Sequence, residues 1–152
     1  MIGSLSTADA HAVLRQERIG RLGVWDGRRV FIYPVNYGFD GEALYLQSRE
    51  GEKVRILREH PEVCVQVDQV ITPARWRSVI VHGEFEEIRD ERERDDALAA
   101  ILRQGGAQPP SVAPYLDGPE HLVVYRVQIR ELTGRYEESA VLQVHTAGRH
   151  HD

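Results

Sequence analysis

The sequence predicts a mainly β domain in which six antiparallel strands form a barrel and a few helices lie at its periphery. Three observations lead to this prediction: short β-rich segments with short connections, two Asp-Gly pairs between such segments, and no regular alternation of strands and helices. Short connections favour antiparallel pairing, and closure into a barrel removes exposed strand edges. A parallel nucleotide-binding sheet would require the alternation that this sequence lacks.

Length and composition indicate a single soluble domain. The chain has 152 residues, of which 41% are hydrophobic and 28% charged, and we place the domain at residues 1–146 with a disordered tail at 147–152. The net charge of −5 argues against binding to nucleic acid or to a membrane surface. Cys64 is the single cysteine, which excludes an intrachain disulfide. Because no apolar stretch is long enough to span a membrane and no signal pattern is present, we expect a cytoplasmic protein.

The segment "RLGVWDGRRVFIYPVNYGFDGEALYLQ" predicts the first three strands. Its three β-rich parts are separated by Asp26-Gly27 and Asp40-Gly41. Asp-Gly between such parts is typical of tight hairpins, whose turns need a positive φ. We therefore predict an antiparallel meander of three strands.

The remaining elements follow from periodicity and from capping residues. A helix precedes the meander, with Ser6 or Thr7 as its N-cap and Gly20 as its end, and a second, short helix occupies 51–60. The segments "EVCVQVDQVI" and "WRSVIVHGEFEEI" predict two strands, and Gly83 indicates a bulge or a close approach of two backbones. A charged third helix, "RDERERDDALAAILRQGG", and a long last strand, "HLVVYRVQIRELTGRY", complete the chain.

The junction "LYLQSREGEKVRILREH" combines a hydroxyl, a glycine and three cations where a strand passes into a helix. Ser48 offers the hydroxyl, Gly51 allows close approach of the backbone, and Arg49, Lys53 and Arg55 supply positive charge. The N-terminus of a helix favours anions, so a phosphate fits this set. Eighteen of the nineteen basic residues are arginine, which makes the single lysine notable because lysine is a compact point charge. The alternative is a solvated turn with an ordinary capping serine.

Two further segments are candidates for ligand contact. In "YPVNYGF", Pro34 indicates a strand with interrupted pairing, whose free backbone groups suit a planar heterocycle beside the amide of Asn36 and the ring of Tyr37. A kinked strand is the alternative. In "ARWRSVIVHG", Trp76 and Ser78 begin a strand, where they would line a ligand or a subunit interface. A core tryptophan is the alternative there.

Five motifs together resemble a known family. The order "GRLGV", "PVNYGF", "LYLQSREGEKV", "HPEVCVQVD" and "WRSVIVHGEFEEI" is similar to that of the pyridoxamine 5′-phosphate oxidase-like flavin-binding split-barrel family, and nearest to its nitroimidazole-resistance branch. The resemblance implies a six-stranded split β-barrel with Greek-key features and a homodimer with FMN at the subunit interface.

The resemblance also assigns roles to residues. Ser48 and Lys53 match phosphate-binding positions, and residues 34–37 match the strand that lies along the isoalloxazine ring. Trp76 and Ser78 match a segment near the cofactor, supplied by the same chain or by its partner. The candidate cofactor-binding residues are therefore Pro34, Val35, Asn36, Tyr37, Gln47, Ser48, Gly51, Lys53, Val54, Trp76, Ser78 and Val79.

One departure from the family pattern limits the expected activity. In the nitroimidazole branch a histidine commonly stands just before the phosphate-binding serine or threonine, and here that position is Gln47. We predict an FMN-dependent oxidoreductase acting on a small flat substrate, with no catalytic residue assigned. The alternatives are a non-catalytic flavin or haem carrier and a deazaflavin-dependent reductase. No metal site is predicted, because the spacing of His145, His150 and His151 matches no metal motif.

Overall fold

The computed structural model describes residues 1–105 and 122–139 of the chain. The end of the predicted domain at 146, the three C-terminal histidines and the predicted tail lie outside these residues. No helix in the described ranges is long and apolar enough to cross a membrane. In chain order the elements are β1 (Ile2–Ser4), α1 (Thr7–Gln16), β2 (Ile19–Trp25), β3 (Val30–Asn36), β4 (Gly38–Phe39), β5 (Ala43–Arg49), α2 (Glu52–Glu59), β6 (Glu62–Thr72), β7 (Arg75–Glu87), α3 (Glu91–Gly105) and β8 (Leu122–Glu138).

The eight strands of the described residues form one antiparallel sheet that curls into a half-barrel. Neighbouring strands follow the order β3-β2-β6-β7-β8-β5-β4, and β1 pairs with β8 beside this path. The predicted fold class, a mainly β split barrel with a few helices, is confirmed. Two strands more than the predicted six are present, because β1 is not predicted and because one predicted strand is divided into β3 and β4 at Tyr37.

Both predicted hairpins are confirmed, but the middle strand of the predicted meander is divided at Tyr37, so that β3 pairs with β2 and β4 pairs with β5. Gly27 and Gly41 have φ angles of 97° and 101°, as the turns between β2 and β3 and between β4 and β5 require. However, β5 pairs with β8, and within the described residues no backbone pairing joins β3 to β5. The chain leaves one end of the sheet at Asn36 and joins the other end at Gly38. Turn residues specify a hairpin, but they do not specify which strand lies beyond it.

Helix α1 begins as predicted and ends earlier than predicted. The hydroxyl oxygen of Ser6 accepts a hydrogen bond from the backbone N–H of Asp9 at 3.1 Å, which satisfies one free donor of the first turn. The helix ends at Gln16, and the C-cap Glu17 has an extended backbone. Gly20 therefore lies inside β2, where a Cβ atom would be 3.2 Å from the carbonyl oxygen of Gln66. Its small size serves strand packing rather than helix termination.

The core fills the inner face of the curled sheet and is covered by two helices. Residues of the central strands alternate between this face and the outside, as the period of two predicts. Helices α1 and α2 contribute apolar side chains to the same cluster, so both pack against the inner face. A second, smaller cluster lies beneath α3. The best-buried members of the main cluster include Val13, Leu14, Leu22, Val54, Leu57, Val65, Val67, Val79 and Val81.

Strand β8 connects the two halves of the sheet. It spans 17 residues and pairs with β1, β5 and β7. Its pairing with β7 shifts in register between His82 and Gly83, and a Cβ atom at Gly83 would lie 2.2 Å from the carbonyl oxygen of Gln128. The predicted bulge and close backbone approach at Gly83 are both confirmed.

Candidate functional site

The junction of β5 and α2 places the predicted phosphate-binding residues at the start of a helix. Ser48 is half-buried near the end of β5, and its hydroxyl donates to the carbonyl oxygen of Arg49 at 3.2 Å. Gly51 is the N-cap of α2, with extended backbone and no side-chain cap. A Cβ atom at Gly51 would meet nothing within 4 Å, so the backbone there faces open space. The N–H groups of the first helical turn are thus accessible to a ligand.

Lys53 is a half-buried cation in the first turn of α2. Its Nζ atom lies 5.3 Å from the centre of the Tyr33 ring on β3, and no ion pair joins it to a carboxylate among the described residues. Burial lowers the pKa of Lys53 below its usual value of 10.5, because desolvation disfavours the charged form. An anion placed beside Nζ would offset this cost. The contact with Tyr33 also brings the start of α2 next to β3, across the gap in the sheet.

Strand β3 is an edge strand, as Pro34 predicts. It pairs with β2 on one side, and its other edge faces the gap towards β5. Pro34 and Asn36 are exposed on the outer side of the strand, whereas Val35 points into the core. The unpaired edge leaves backbone N–H and C=O groups free to bond a planar ligand, which is the arrangement expected from the sequence.

The prediction for the Tyr37 side chain is wrong. The sequence predicts that its ring offers a face to the ligand, but the side chain is 1% exposed and its hydroxyl donates to the carbonyl oxygen of Leu14 at 2.7 Å. Burial raises the pKa of this hydroxyl well above its usual value. Tyr37 is therefore a core residue at the crossing from β3 to β4. The aromatic side chain of β3 that lies beside Lys53 is the half-buried Tyr33, which was not among the predicted site residues.

All three candidate valines point into the core. Val35 is 9% exposed, and Val54 and Val79 are fully buried. These side chains fill the inner face of the sheet, so only the backbone at these positions is left to meet a ligand. Sequence position alone places them beside the candidate site but does not reveal which way they face.

Gln47 carries a buried acceptor oxygen on β5. Its Oε1 atom is shielded from solvent and has no hydrogen-bond partner among the described residues. Neighbouring residues of a strand face opposite sides, so Gln47 and Ser48 lie on different faces of β5. Gln47 pairs in register with Val124, which belongs to the cluster beneath α3. An unpaired buried oxygen is costly, and a donor from a ligand or a partner chain would satisfy it.

Trp76 and Ser78 lie on β7 beside a surface cleft. The cleft has a volume of about 680 Å³ and is lined by both residues together with Ser6, Ala10 and Gly134. The indole Nε1 of Trp76 donates to the Glu137 carboxylate at 2.8 Å. Trp76 is half-buried, so the alternative of a core tryptophan is wrong.

Ser78 belongs to a polar cluster that the sequence reasoning did not identify. The amide nitrogen of Gln66 donates to the Ser78 hydroxyl at 3.1 Å and to the Asp68 carboxylate at 2.9 Å. Arg21 lies 4.0 Å from the same carboxylate. The alternation of β6 already places Gln66 and Asp68 on its polar face, and their cross-strand partners are the information that the sequence lacks.

One chain brings two of the three candidate segments together and leaves the third apart. Ser48 pairs in register with Val123 of β8, whereas Trp76 pairs with Glu137. Val123 and Glu137 are fourteen residues apart on the same strand, a path of roughly 45 Å along an extended chain. Ser48 and Trp76 are therefore widely separated along β8, whereas the contact of Lys53 with Tyr33 joins the start of α2 to β3.

Cys64 of β6 lies in an environment that does not activate its thiol. The thiol is half-buried, and burial raises its pKa. A raised pKa reduces the thiolate fraction at neutral pH, and the thiolate is the reactive form.

Comparison with known proteins agrees with the resemblance found in the sequence. A family model described as pyridoxamine 5′-phosphate oxidase matches residues 6–136. An uncharacterized protein of Rhizobium meliloti (strain 1021) is 26% identical over 141 residues, covering 86% of this chain and 92% of that protein.

Solved structures share the fold. A FAD-binding protein of Mesorhizobium loti is 27% identical with a TM-score of 0.75, covering 91% of this chain and 98% of that chain. A proposed 5-nitroimidazole antibiotic resistance protein of Bacteroides thetaiotaomicron has a TM-score of 0.76 at 23% identity, covering 90% of this chain and 87% of that chain. The second likeness concerns the fold alone.

Proposed function

Because this chain belongs to the pyridoxamine 5′-phosphate oxidase family, we propose that it binds FMN between two copies of itself and acts as a flavin-dependent oxidoreductase on a small flat substrate. The similarity to a FAD-binding protein with the same fold supports a flavin. When bound, the flavin supplies the hydride and electron transfer. The tasks left to the chain are to hold the phosphate, to orient the ring and to shield it from water.

The observation that carries the proposal is the environment of Lys53. A half-buried ammonium group, with no carboxylate partner among the described residues, belongs to the first turn of α2, which follows Ser48 and the open backbone at Gly51 in the chain. A phosphate monoester would receive a charge-assisted hydrogen bond from Lys53 and further hydrogen bonds from the helix N–H groups. The residues present therefore fit the phosphate of FMN.

The ring would lie along the free edge of β3. Backbone N–H and C=O groups on this edge, with the exposed amide of Asn36, match the alternating donors and acceptors of a flavin's pyrimidine ring. Donors aimed at the N1 and C2-carbonyl side of the ring favour negative charge there. This arrangement needs no catalytic acid or base from the chain.

Two observations support a homodimer. The Trp76 segment lies far from Ser48 in its own chain, so a second copy is the natural source of that contact. The outer face of β2 and β3 exposes four large apolar side chains, Ile19, Trp25, Val30 and Ile32, each more than half exposed. Several exposed large apolar side chains on one face of a sheet are typical of an interface, and a two-fold homodimer is the commonest closed assembly. We call these four residues the outer apolar face.

Extraction of the chromophore tests the proposed cofactor. We expect the purified protein to show flavin absorbance without a haem Soret band, and the extracted flavin to be FMN. Oxidation of a reduced nicotinamide with FMN added then separates an enzyme from a carrier. A Soret band, a deazaflavin, or a chain that takes up no flavin when FMN is added would contradict the proposal.

A second test concerns Gln47. A neutral amide neither donates nor takes up a full proton near neutral pH, whereas histidine titrates there. We expect little or no nitroimidazole reduction by the native protein and at most a modest gain in Gln47→His. Anaerobic consumption of a nitroimidazole is measured for both proteins, with a quinone as the comparison acceptor. Fast nitroimidazole reduction by the native protein would show that the missing histidine has no influence.

A further inference from the structure

The loop before α2 contains a carboxylate that would repel the phosphate proposed to bind there. Glu50 lies between Ser48 and Gly51, two residues from the hydroxyl and three from Lys53. A phosphate held by Ser48 and Lys53 would be repelled by a carboxylate that was free to turn towards it. The loop therefore needs a way to keep Glu50 from the phosphate.

Arg58 supplies that restraint. It lies in the last turn of α2, and two of its N–H groups bind the two oxygens of Glu50, with Nη2 at 3.1 Å from Oε2. This bidentate pair occupies both oxygens of the Glu50 carboxylate and fixes the carboxylate beside the guanidinium group of Arg58. It also compensates the negative charge locally.

Arg58 is itself held in place from the sheet. Its Nε and Nη2 atoms donate to the two oxygens of Glu87 on β7 at 3.1 Å and 2.9 Å. Four hydrogen bonds thus occupy the guanidinium group, and Arg89 contacts Glu87 at 3.0 Å. The hydrogen bonds from Arg58 hold the pKa of the Glu87 carboxyl below its usual value, so this anchor stays charged at neutral pH. Because its guanidinium group is hydrogen-bonded to both Glu50 and Glu87, Arg58 has little freedom to release Glu50.

We propose that Arg58 is a positioning residue of the phosphate site: by binding Glu50 and Glu87 together, it keeps the Glu50 carboxylate away from the phosphate and leaves Lys53 free to bind it. This inference rests on the proposed function and deepens it. Arg58 does not touch the ligand in this arrangement. Because its effect passes through Glu50, replacing Glu50 should suppress the loss of affinity that replacing Arg58 causes.

The test compares FMN and riboflavin binding by flavin fluorescence in four proteins. In Arg58→Gln, the amide keeps some hydrogen-bonding capacity but the charge is lost, so Glu50 is released. We expect FMN affinity to fall on the order of tenfold while riboflavin affinity is unchanged. Adding Glu50→Gln to this variant should restore FMN affinity to within about threefold of the native value. Arg89→Gln, which removes the other cation at Glu87, should leave the preference for FMN unaltered.

The outcomes separate this inference from the proposed function. Thermal unfolding of each variant controls for loss of the fold, and the loss in Arg58→Gln should shrink in high salt because the repulsion is screened. If native protein prefers FMN but Arg58→Gln keeps the same preference, or if the double variant stays as weak as Arg58→Gln, the inference is wrong. If native protein binds FMN and riboflavin equally, the phosphate site itself is wrong.

Discussion

Replacing Lys53 by alanine is expected to weaken FMN binding by about 1.5–3 kcal/mol, roughly 10- to 150-fold, because a hydrogen bond to a charged group is lost. Riboflavin, which lacks the phosphate, should bind the native protein and Lys53→Ala equally well. The measurement is a titration followed by flavin fluorescence. Arg103→Ala is the matched control, since it removes the same charge from the last turn of α3. Equal affinity of native protein for FMN and riboflavin would remove Lys53 from the phosphate site.

The same residue predicts the pH dependence of binding. Burial lowers the pKa of Lys53 below 10.5, and the phosphate contact needs the protonated form. FMN affinity should therefore be highest below this lowered pKa and should fall as the pH rises through it. The fall should be absent from riboflavin binding and from Lys53→Ala. An FMN affinity that stays constant through the alkaline range would contradict the assignment.

Introducing a charge on the outer apolar face is expected to separate the two copies and to abolish tight flavin binding. Ile32 is 68% exposed on β3, so Ile32→Asp should cost the isolated chain little while placing a desolvated charge in the interface. We expect a dimer for the native protein and a monomer for Ile32→Asp in sedimentation. A hot-spot residue of an interface contributes about 2 kcal/mol or more, and FMN affinity should fall by more than about tenfold because the partner's contact is lost.

The matched control for Ile32→Asp lies on a helix. Leu102 of α3 is also an exposed large apolar residue, at 47%, but it stands outside the outer apolar face. Leu102→Asp should remain dimeric and should bind FMN normally. A native protein that sediments as a monomer with full FMN occupancy would refute both the dimer and the shared site.

Local signals in the sequence predict most of the fold, and long-range pairing explains what they miss. The Asp-Gly turns and the strand period are decided within a few residues, so the hairpins, the bulge at Gly83 and the start of α1 were predictable. The pairing of β5 with β8 was not predictable, because β8 lies more than seventy residues further along the chain.

The same distinction between local and long-range contacts applies to the candidate site. The loop from Ser48 to Lys53 is local, and its arrangement follows from a strand, a glycine and a helix start. The direction of Tyr37 depends on a carbonyl oxygen at Leu14, 23 residues away. The pairing of Glu50 with Arg58 was within reach, because both stand in the quoted motif, but their common anchor at Glu87 was not.

The position of β8 in the chain has a consequence for folding during synthesis. β1, β5 and β7 all leave the ribosome before β8, and each needs β8 as a neighbour in the sheet. Until residues 122–138 emerge, these strands present unpaired edges. The hydrogen bond from the amino group of Met1 to the carbonyl oxygen of Glu138 then joins residues that are 137 positions apart. Non-local pairing of this kind folds slowly and exposes intermediates to aggregation. The nascent chain is therefore most vulnerable over the interval between completion of α3 and arrival of β8, which makes this interval the point at which chaperones have the most to contribute.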